Sequence, residues 1–460
     1  MNRGSIYNFG PQNGISFVGD KNNVIQHSNG SNVAASQPRD EPVEPAASWR
    51  FVLREDTAGS LTHARKTNAR LEIYPPNASS QRLEWSVNVH VPQESDLLEL
   101  AWYFNEQWYS SDPIRAKRMD AMLADLGRRM FDSVFEDPEA RRYWRDAMEP
   151  GHEISWTILG SPRFHDVPWE LMLHDFQGHA RELALRYPFA RQITNPPAFS
   201  AASNVTSKKL CVLWFVARSG NDIIEPDAVA GPIREKLGSN AEVELVTDGR
   251  FATLKNLLWE HTRRPKYHLL HLDLHGEVAS GRELLERAAR SPKRWNVDDR
   301  AARGPVPETA TEDAWLLFAD DGRKDPASAS EVARIISESR IPAVVLNACH
   351  SAAVPEPTAS GSGRSSKTAP SALAARLVEA GGFAAVGFSQ SLHLVAARRF
   401  FEAFYQTLVQ SSDRGLLDQA ILRGRHALQE KRTRANVQLS DWSLPVWYKS
   451  RDITLPTGRG

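Results

Sequence analysis

Six short and almost continuously apolar runs, separated by helical stretches, constrain the fold of this chain more than any other feature. Runs of Val, Ile and Leu without alternation are typical of strands that are buried on both faces, and the helices between them form the covering layers. The second half of the sequence therefore predicts an α/β fold with a mostly parallel sheet. Its predicted strands are 210–217, 243–246, 267–272, 314–319, 343–347 and 383–388, and its clearest helices are 395–409 and 415–431.

The first half of the chain shows the same alternation of strands and helices more weakly. A stretch rich in Asn, Pro, Ala and Ser over 193–209 separates it from the second half, which predicts two units, 47–200 and 201–460. The predicted elements of the first unit are strands at 50–54, 83–91 and 154–159 and amphipathic helices at 94–107 and 114–135.

Residues 1–46 are rich in Gly, Asn, Ser and Gln, and this composition favours a flexible tail. The segment GISFVGDKNNVIQHSNGSN also alternates β-branched or aromatic residues with Gly and Asn, which suits in-register β stacking. It resembles the amyloid signalling motifs at the ends of some bacterial and fungal immune effectors. A plain tail and an amyloid-type motif both stay open, and the motif would imply self-assembly or an upstream sensor as a partner.

Charge and hydropathy argue against two classes of partner. Lys+Arg and Asp+Glu both number 56, whereas a protein that binds nucleic acid through phosphates carries a basic excess, so we expect no nucleic acid partner. No apolar run is long enough to cross a bilayer, so we expect no membrane partner. The first residues lack the apolar core of a secretory signal, which predicts a cytoplasmic location.

The two cysteines of the chain, Cys211 and Cys349, lie in different settings. A disulfide framework is therefore not the stabilising device, and neither cysteine belongs to a CxxC metal-binding pattern. Cys211 lies inside the apolar run LCVLWFVA, where cysteine packs as a small hydrophobic residue. Cys349 follows AVVLN, where a buried strand gives way to small and polar residues. We interpret Cys211 as a packing residue and Cys349 as a candidate nucleophile.

Two strand ends carry the residue types of covalent catalysis. HLDLHG ends in His275 and Gly276, and VVLNAC ends in Cys349. Because active residues of such sheets collect at the carboxyl ends of the strands, His275 is a candidate base for the thiol proton of Cys349. The backbone N–H groups of Gly276 and Cys349 are the candidate donors to an oxyanion. Such a site requires no cofactor.

These segments resemble those of the CHAT peptidases, which are relatives of caspases and separases. HLDLHG is similar to the family's strand ending in His-Gly, and LNACHSA is similar to its nucleophile strand. DVPWELMLHD, with Arg191 after it, resembles a Pro-Trp-Glu signature, and LPVWYKS resembles the closing strand. The resemblance implies a caspase-like fold in which a degenerate N-terminal lobe, 47–200, packs on a catalytic lobe, 201–460. It also implies a cysteine endopeptidase that cleaves a protein substrate in a regulated defence or cell-death pathway, for example by activating a pore-forming protein.

Four further residues are candidates for contact with the substrate. Asn347 lies two residues before the nucleophile, where caspases have a glutamine that faces the P1 side chain. Ser389 and Ser391 lie in SQSLHL, a segment in which separase-like enzymes often carry an acid for a basic P1 residue. The absence of that acid here argues against specificity for Arg or Lys. Asp273 shares a strand face with the histidine base, and it could orient a neighbouring group or touch the substrate.

Two other functions remain open from the residues alone. His271, Asp273 and His275 share one face of a strand and could hold a metal ion with an open position for hydrolytic water. That interpretation leaves Cys349 without a role. The chain could also be a non-catalytic signalling adaptor that assembles through residues 1–46.

We expect a structural role for the Pro-Trp-Glu segment at 168–170. Trp169 is expected to pack between the lobes, because an indole ring contributes a large apolar surface. Glu170 is expected to accept a buried hydrogen bond or to form a buried salt bridge.

Overall fold

The computed structural model gives a defined fold to most of the chain after residue 47. The predicted tail, 1–46, lies outside the described residues, which belong to one unit over 46–460. The structure describes residues 48–56, 66–76, 82–106, 112–162, 164–176, 179–194, 202–217, 227–297, 306–307, 312–347, 373–389, 392, 394–410, 415–429, 433–434, 437–438 and 440–456.

Strands and helices alternate through these described residues. The strands are β1 (Ser48–Glu55), β2 (Lys66–Tyr74), β3 (Leu83–His90), β4 (Glu153–Gly160), β5 (Leu173–Phe176), β6 (His179–Glu182), β7 (Phe189–Ile193), β8 (Leu210–Ala217), β9 (Ala241–Val246), β10 (Leu269–Ser280), β11 (Glu312–Asp320), β12 (Arg323–Ser328), β13 (Ala343–Asn347), β14 (Ala384–Phe388), β15 (Thr433–Arg434), β16 (Val437–Gln438) and β17 (Pro445–Lys449). The helices are α1 (Glu94–Ala101), α2 (Pro113–Val134), α3 (Pro138–Ala147), α4 (Leu183–Arg186), α5 (Asp227–Leu237), α6 (Phe251–Arg263), α7 (Gly281–Arg290), α8 (Ala329–Ser339), α9 (Leu373–Glu379), α10 (Leu394–Gln410) and α11 (Leu417–Gln429).

The second half of the chain forms the part of the sheet that positions the site. Its strands lie in the order β9-β8-β10-β13-β14-β17, and all of them are parallel except β17, which runs antiparallel to β14. The chain passes from β8 outward to β9 and then returns to β10 on the other side of β8. In open α/β sheets, ligands bind at the carboxyl ends of the strands beside such a reversal of direction.

The strands of the first half continue the same sheet. The order beyond β17 is β7-β4-β1-β2-β3. Strands β17, β7, β4 and β1 are parallel to their neighbours in this order, β2 is antiparallel to β1, and β3 is antiparallel to β2. The closing strand of the chain therefore lies between the sheets of the two predicted units. The short contact joins Tyr448 to Arg191.

Strand β10 has two parts with different neighbours. Residues from Leu269 to Asp273 lie between β8 and β13 in parallel pairing. From His275 to Ser280 the strand pairs antiparallel with β11, and β12 pairs with the opposite edge of β11. The predicted strand 267–272 was therefore too short, because pairing with β11 keeps the polar residues after Asp273 in an extended conformation.

Side chains on the two faces of the sheet form two separate cores. On β8, Val212 and Trp214 pack on the face covered by α5, α10 and α11, whereas Leu213 and Phe215 pack on the face covered by α6, α8 and α9. Unbroken apolar strands need such cover on both sides. The predicted α/β class, a mostly parallel sheet flanked by helices, is confirmed. In the described ranges, no helix is both long and apolar enough to cross a membrane.

Candidate active site

His275 lies at the point where β10 changes its neighbours. The parallel ladder with β13 ends at Asp273, the one with β8 ends at Leu274, and the antiparallel ladder with β11 begins at His275. The imidazole is half-buried. The predicted histidine base therefore lies at the carboxyl end of the parallel strands, beside the reversal in strand order, although β10 itself continues through Gly276.

His271 is part of the core rather than of a site. Its ring is fully buried and stacks on Trp214, with the ring centroids 3.8 Å apart, and Phe401 contacts it at 4.6 Å. Its Nδ1 lies 2.8 Å from the hydroxyl of Tyr405 on α10. Burial holds the pKa of His271 well below its usual value, so the ring is neutral.

The three-residue metal set suggested by the strand pattern is not assembled. His271 is held between aromatic rings, and no group of three His, Cys, Asp or Glu side chains in the described part of the chain could hold a metal ion. The other two candidate ligands, Asp273 and His275, lie nearer than His271 to the carboxyl end of β10.

Asp273 and Asn347, two predicted substrate-binding residues, are brought together. They lie opposite each other on β10 and β13, and the Nδ2 of Asn347 donates a hydrogen bond of 3.0 Å to the Oδ1 of Asp273. Asp273 is only 1% exposed, whereas Asn347 is half-buried. The amide of Asn347 is therefore the more accessible partner of the pair.

Ser389 is occupied by a structural contact. Its backbone N–H donates to the carbonyl oxygen of Leu444 at 2.9 Å, and its hydroxyl donates to the same oxygen at 3.4 Å. These bonds join the end of β14 to the segment before β17. The predicted nucleophile, Cys349, and the predicted substrate contact, Ser391, lie outside the described residues.

Cys211 has the features of a packing residue, as predicted. It is 6% exposed on β8, and burial raises the pKa of its thiol. The Oε2 of Glu242 lies 3.8 Å from its sulfur, and that negative charge further disfavours a thiolate.

The Pro-Trp-Glu segment forms a buried ionic network. Trp169 is fully buried, and its indole N–H donates to the carbonyl oxygen of Phe164 at 2.8 Å. Glu170 accepts two hydrogen bonds from Arg191, one of them 3.0 Å long from Nε. The predicted buried salt bridge of Glu170 is thus present.

A second arginine, which the sequence analysis did not single out, completes this network. Arg425 of α11 is 1% exposed, and its Nη2 lies 3.9 Å from Glu170. Its guanidinium also donates to the carbonyl oxygens of Ala184 and Pro445. Burial lowers the pKa of Arg425 to about 10, against the opposing effect of Glu170. The signal in the sequence is a basic residue within the apolar stripe of a helix.

The sequence of the chain matches a known protein family. The sequence matches the CHAT domain over residues 126–450, well over half of the chain. No curated protein matches it significantly. Solved structures similar to the chain include the Saccharomyces cerevisiae separase–securin complex, determined at 2.6 and 3.0 Å.

The separase similarity is distant and partial. The identities are 11% and 10% and the TM-scores are 0.44 and 0.48, with 88% and 89% of this chain covered. The matched region is 30% of each separase chain. The CHAT match extends from α2 in the first half to β17 in the second, and so includes the segments that carry His275, Cys349 and the Pro-Trp-Glu network. The chain therefore belongs to the CHAT domain family.

Proposed function

We propose that this protein is a cysteine endopeptidase in which Cys349 is the nucleophile and His275 is the general base. The observation that carries the proposal is the register of β10 and β13. Leu269 lies opposite Ala343 and Asp273 lies opposite Asn347, with the same offset throughout. His275 follows Asp273 by two residues, and Cys349 follows Asn347 by two residues.

Equal spacing beyond a parallel ladder favours proximity of the two groups. Neighbouring strands lie about 4.8 Å apart, and residues two apart along a strand face the same side. In the proposed arrangement, positions 275 and 349 are the next pair along the face that holds Asp273 and Asn347. A thiol and an imidazole on that face are candidates for hydrogen-bond contact.

The proposed reaction follows from these roles. His275 takes the thiol proton, and the Cys349 thiolate attacks the carbonyl carbon of the scissile peptide. The N–H groups of Gly276 and Cys349 stabilise the oxyanion, and His275 returns the proton to the leaving amine. Water then hydrolyses the acyl-enzyme. This reaction requires no cofactor.

The proposed setting is a regulated defence or cell-death pathway in the cytoplasm. The resemblance to CHAT peptidases supports a protein substrate, and the pattern of residues 1–46 supports assembly with an upstream sensor or with further copies of the chain. Activation of a pore-forming protein is one such role.

A thiol-reactive peptidyl probe tests the proposed chemistry. The probe should label the wild-type protein and Cys211→Ala but not Cys349→Ala, because Cys211 is buried with a raised pKa. Cleavage of a protein substrate should be lost in Cys349→Ala and in His275→Ala, and the two losses should not add, because the residues act as one unit.

Two results would contradict the mechanism. Cleavage by Cys349→Ala would exclude the nucleophile, and inactivation of the wild type by a chelator would favour a metal-dependent hydrolase. A protein that never cleaves or binds the probe, yet signals through residues 1–46, would be an adaptor. Thermal unfolding of each variant controls for misfolding.

A further inference from the structure

The bond between Asp273 and Asn347 has a consequence for substrate choice. The Nδ2 of Asn347 donates to the Oδ1 of Asp273 at 3.0 Å. An ionised carboxylate only accepts hydrogen bonds, whereas an amide has a donating and an accepting end. In its ionised form, Asp273 therefore selects one of the two orientations of the amide, with the NH₂ group toward Asp273 and the oxygen away from it.

Burial makes this selection strong. Asp273 is 1% exposed on a strand with neighbours on both sides. With the amide reversed, an oxygen would face the buried carboxylate oxygen without a proton between them. The loss of one donor costs a buried ionised carboxylate more than it costs a neutral acceptor.

The exposed partner of this pair is the one nearest to the reaction. Asn347 is half-buried, it is the last residue of β13, and it precedes the proposed nucleophile by two residues in the sequence. An amide oxygen there, with a buried carboxylate beneath it, presents an acceptor and a negative potential to a substrate side chain.

We propose that Asp273 is a positioning residue that orients Asn347, so that the site selects a substrate residue with a hydrogen-bond donor and rejects an acidic one. The inference rests on the proposed function for its substrate, but the orientation of the amide does not. It differs from the expectation that Asp273 touches the substrate, because in the proposal Asp273 acts through Asn347.

Paired peptides that differ only by Gln or Glu at P1 test the proposal at neutral pH. The wild type should cleave the Gln peptide about tenfold faster in kcat/KM, the value of roughly one hydrogen bond. Asp273→Asn allows the amide of Asn347 to reverse, so the ratio should fall to about threefold or less. Glu72→Gln is the matched control. It also changes a fully buried carboxylate to an amide, but on β2, and its ratio should equal that of the wild type.

Alkylation of Cys349 provides a second measurement that needs no proteolysis. In the Cys211→Ala protein, the ratio of the rates with neutral iodoacetamide and anionic iodoacetate reports the polarity near the thiol. Asp273→Asn should shift that ratio toward iodoacetate by several-fold. If Asp273→Asn does not fold, Asn347→Ala replaces it in the peptide assay, because it removes the oriented oxygen and should lower the Gln-to-Glu ratio.

The outcomes separate the two proposals. A wild type that cleaves neither peptide and is not labelled by the thiol-reactive peptidyl probe argues against the proposed function, and the alkylation ratio then decides the orientation alone. Cleavage with a Gln-to-Glu ratio that Asp273→Asn and Asn347→Ala both leave unchanged would overturn the positioning role. An unchanged alkylation ratio in a folded Asp273→Asn protein would overturn it as well.

Discussion

The buried network around Glu170 allows a stability prediction from geometry. Glu170→Gln keeps the size of the side chain but removes the only carboxylate that the described residues place against Arg191 and Arg425. All three side chains are at most 3% exposed. Two guanidinium groups would then remain buried without an opposite charge.

The cost follows from this burial. Removing one partner of a buried ion pair costs about 3–5 kcal/mol, because the remaining charge is neither solvated nor paired. The entropy of unfolding is about 2.1 cal/mol/K per residue, or roughly 0.8 kcal/mol/K for a unit of about 400 residues. A loss of about 4 kcal/mol should therefore lower Tm by roughly 5 °C.

Calorimetry of Glu170→Gln and of a matched surface variant measures this effect. Glu338→Gln breaks an ion pair of 2.7 Å with Arg334 on α8, but both side chains are more than half exposed, so the cost should be below about 0.5 kcal/mol. Arg191→Met should be as harmful as Glu170→Gln, and the double variant should cost less than the sum of the two.

Two results would refute this reasoning. One is a Tm of Glu170→Gln equal to that of Glu338→Gln, which would mean that water reaches the network. The other is additivity of Glu170→Gln and Arg191→Met, which would mean that the two charges do not interact.

Two further predictions concern acid stability and the N-terminal segment. His261 is 1% exposed, its Nδ1 accepts the backbone N–H groups of Lys266 and Tyr267, and burial lowers its pKa to about 4. Because the unfolded chain binds the proton near pH 6.5, this stability is complete above pH 6.5 and falls by about 3 kcal/mol as the pH drops to 4; His261→Asn should flatten that slope in urea denaturation. A peptide of residues 1–46 should form thioflavin-positive fibres with a cross-β pattern, and deletion of these residues should leave cleavage intact. A peptide that stays monomeric at high concentration would favour the plain tail.

Local patterns were sufficient for the individual strands of the core. The predicted strands 210–217 and 343–347 coincide with β8 and β13 at both ends. A continuous apolar run ends where polar residues begin, and this boundary can be read from the neighbouring residues alone. Strand β2 was missed, although Thr67, Ala69 and Leu71 alternate with more exposed residues in the manner of a half-buried strand.

The site shows a similar division. The contrast between Cys211 and Cys349 follows from the residues on either side, and the burial of Cys211 agrees with it. The strand pattern placed His271, Asp273 and His275 on one face as equivalent candidates. Their roles differ because β8 and α10 bring Trp214 and Tyr405 against His271, contacts that are distant in the sequence.

The sequence by itself determined that the chain forms apolar strands separated by helices, and that one histidine and one cysteine follow two of the apolar runs. Only the tertiary structure decided that β10 changes partners at His275, that β17 connects the two halves of the sheet through β7, and that Asn347 donates a hydrogen bond to Asp273. Hydrophobic periodicity is a property of adjacent residues, so it can be read from the sequence. Strand pairing and side-chain hydrogen bonds depend on which distant segments pack together, because the free energy of burial comes from all the segments that form the core.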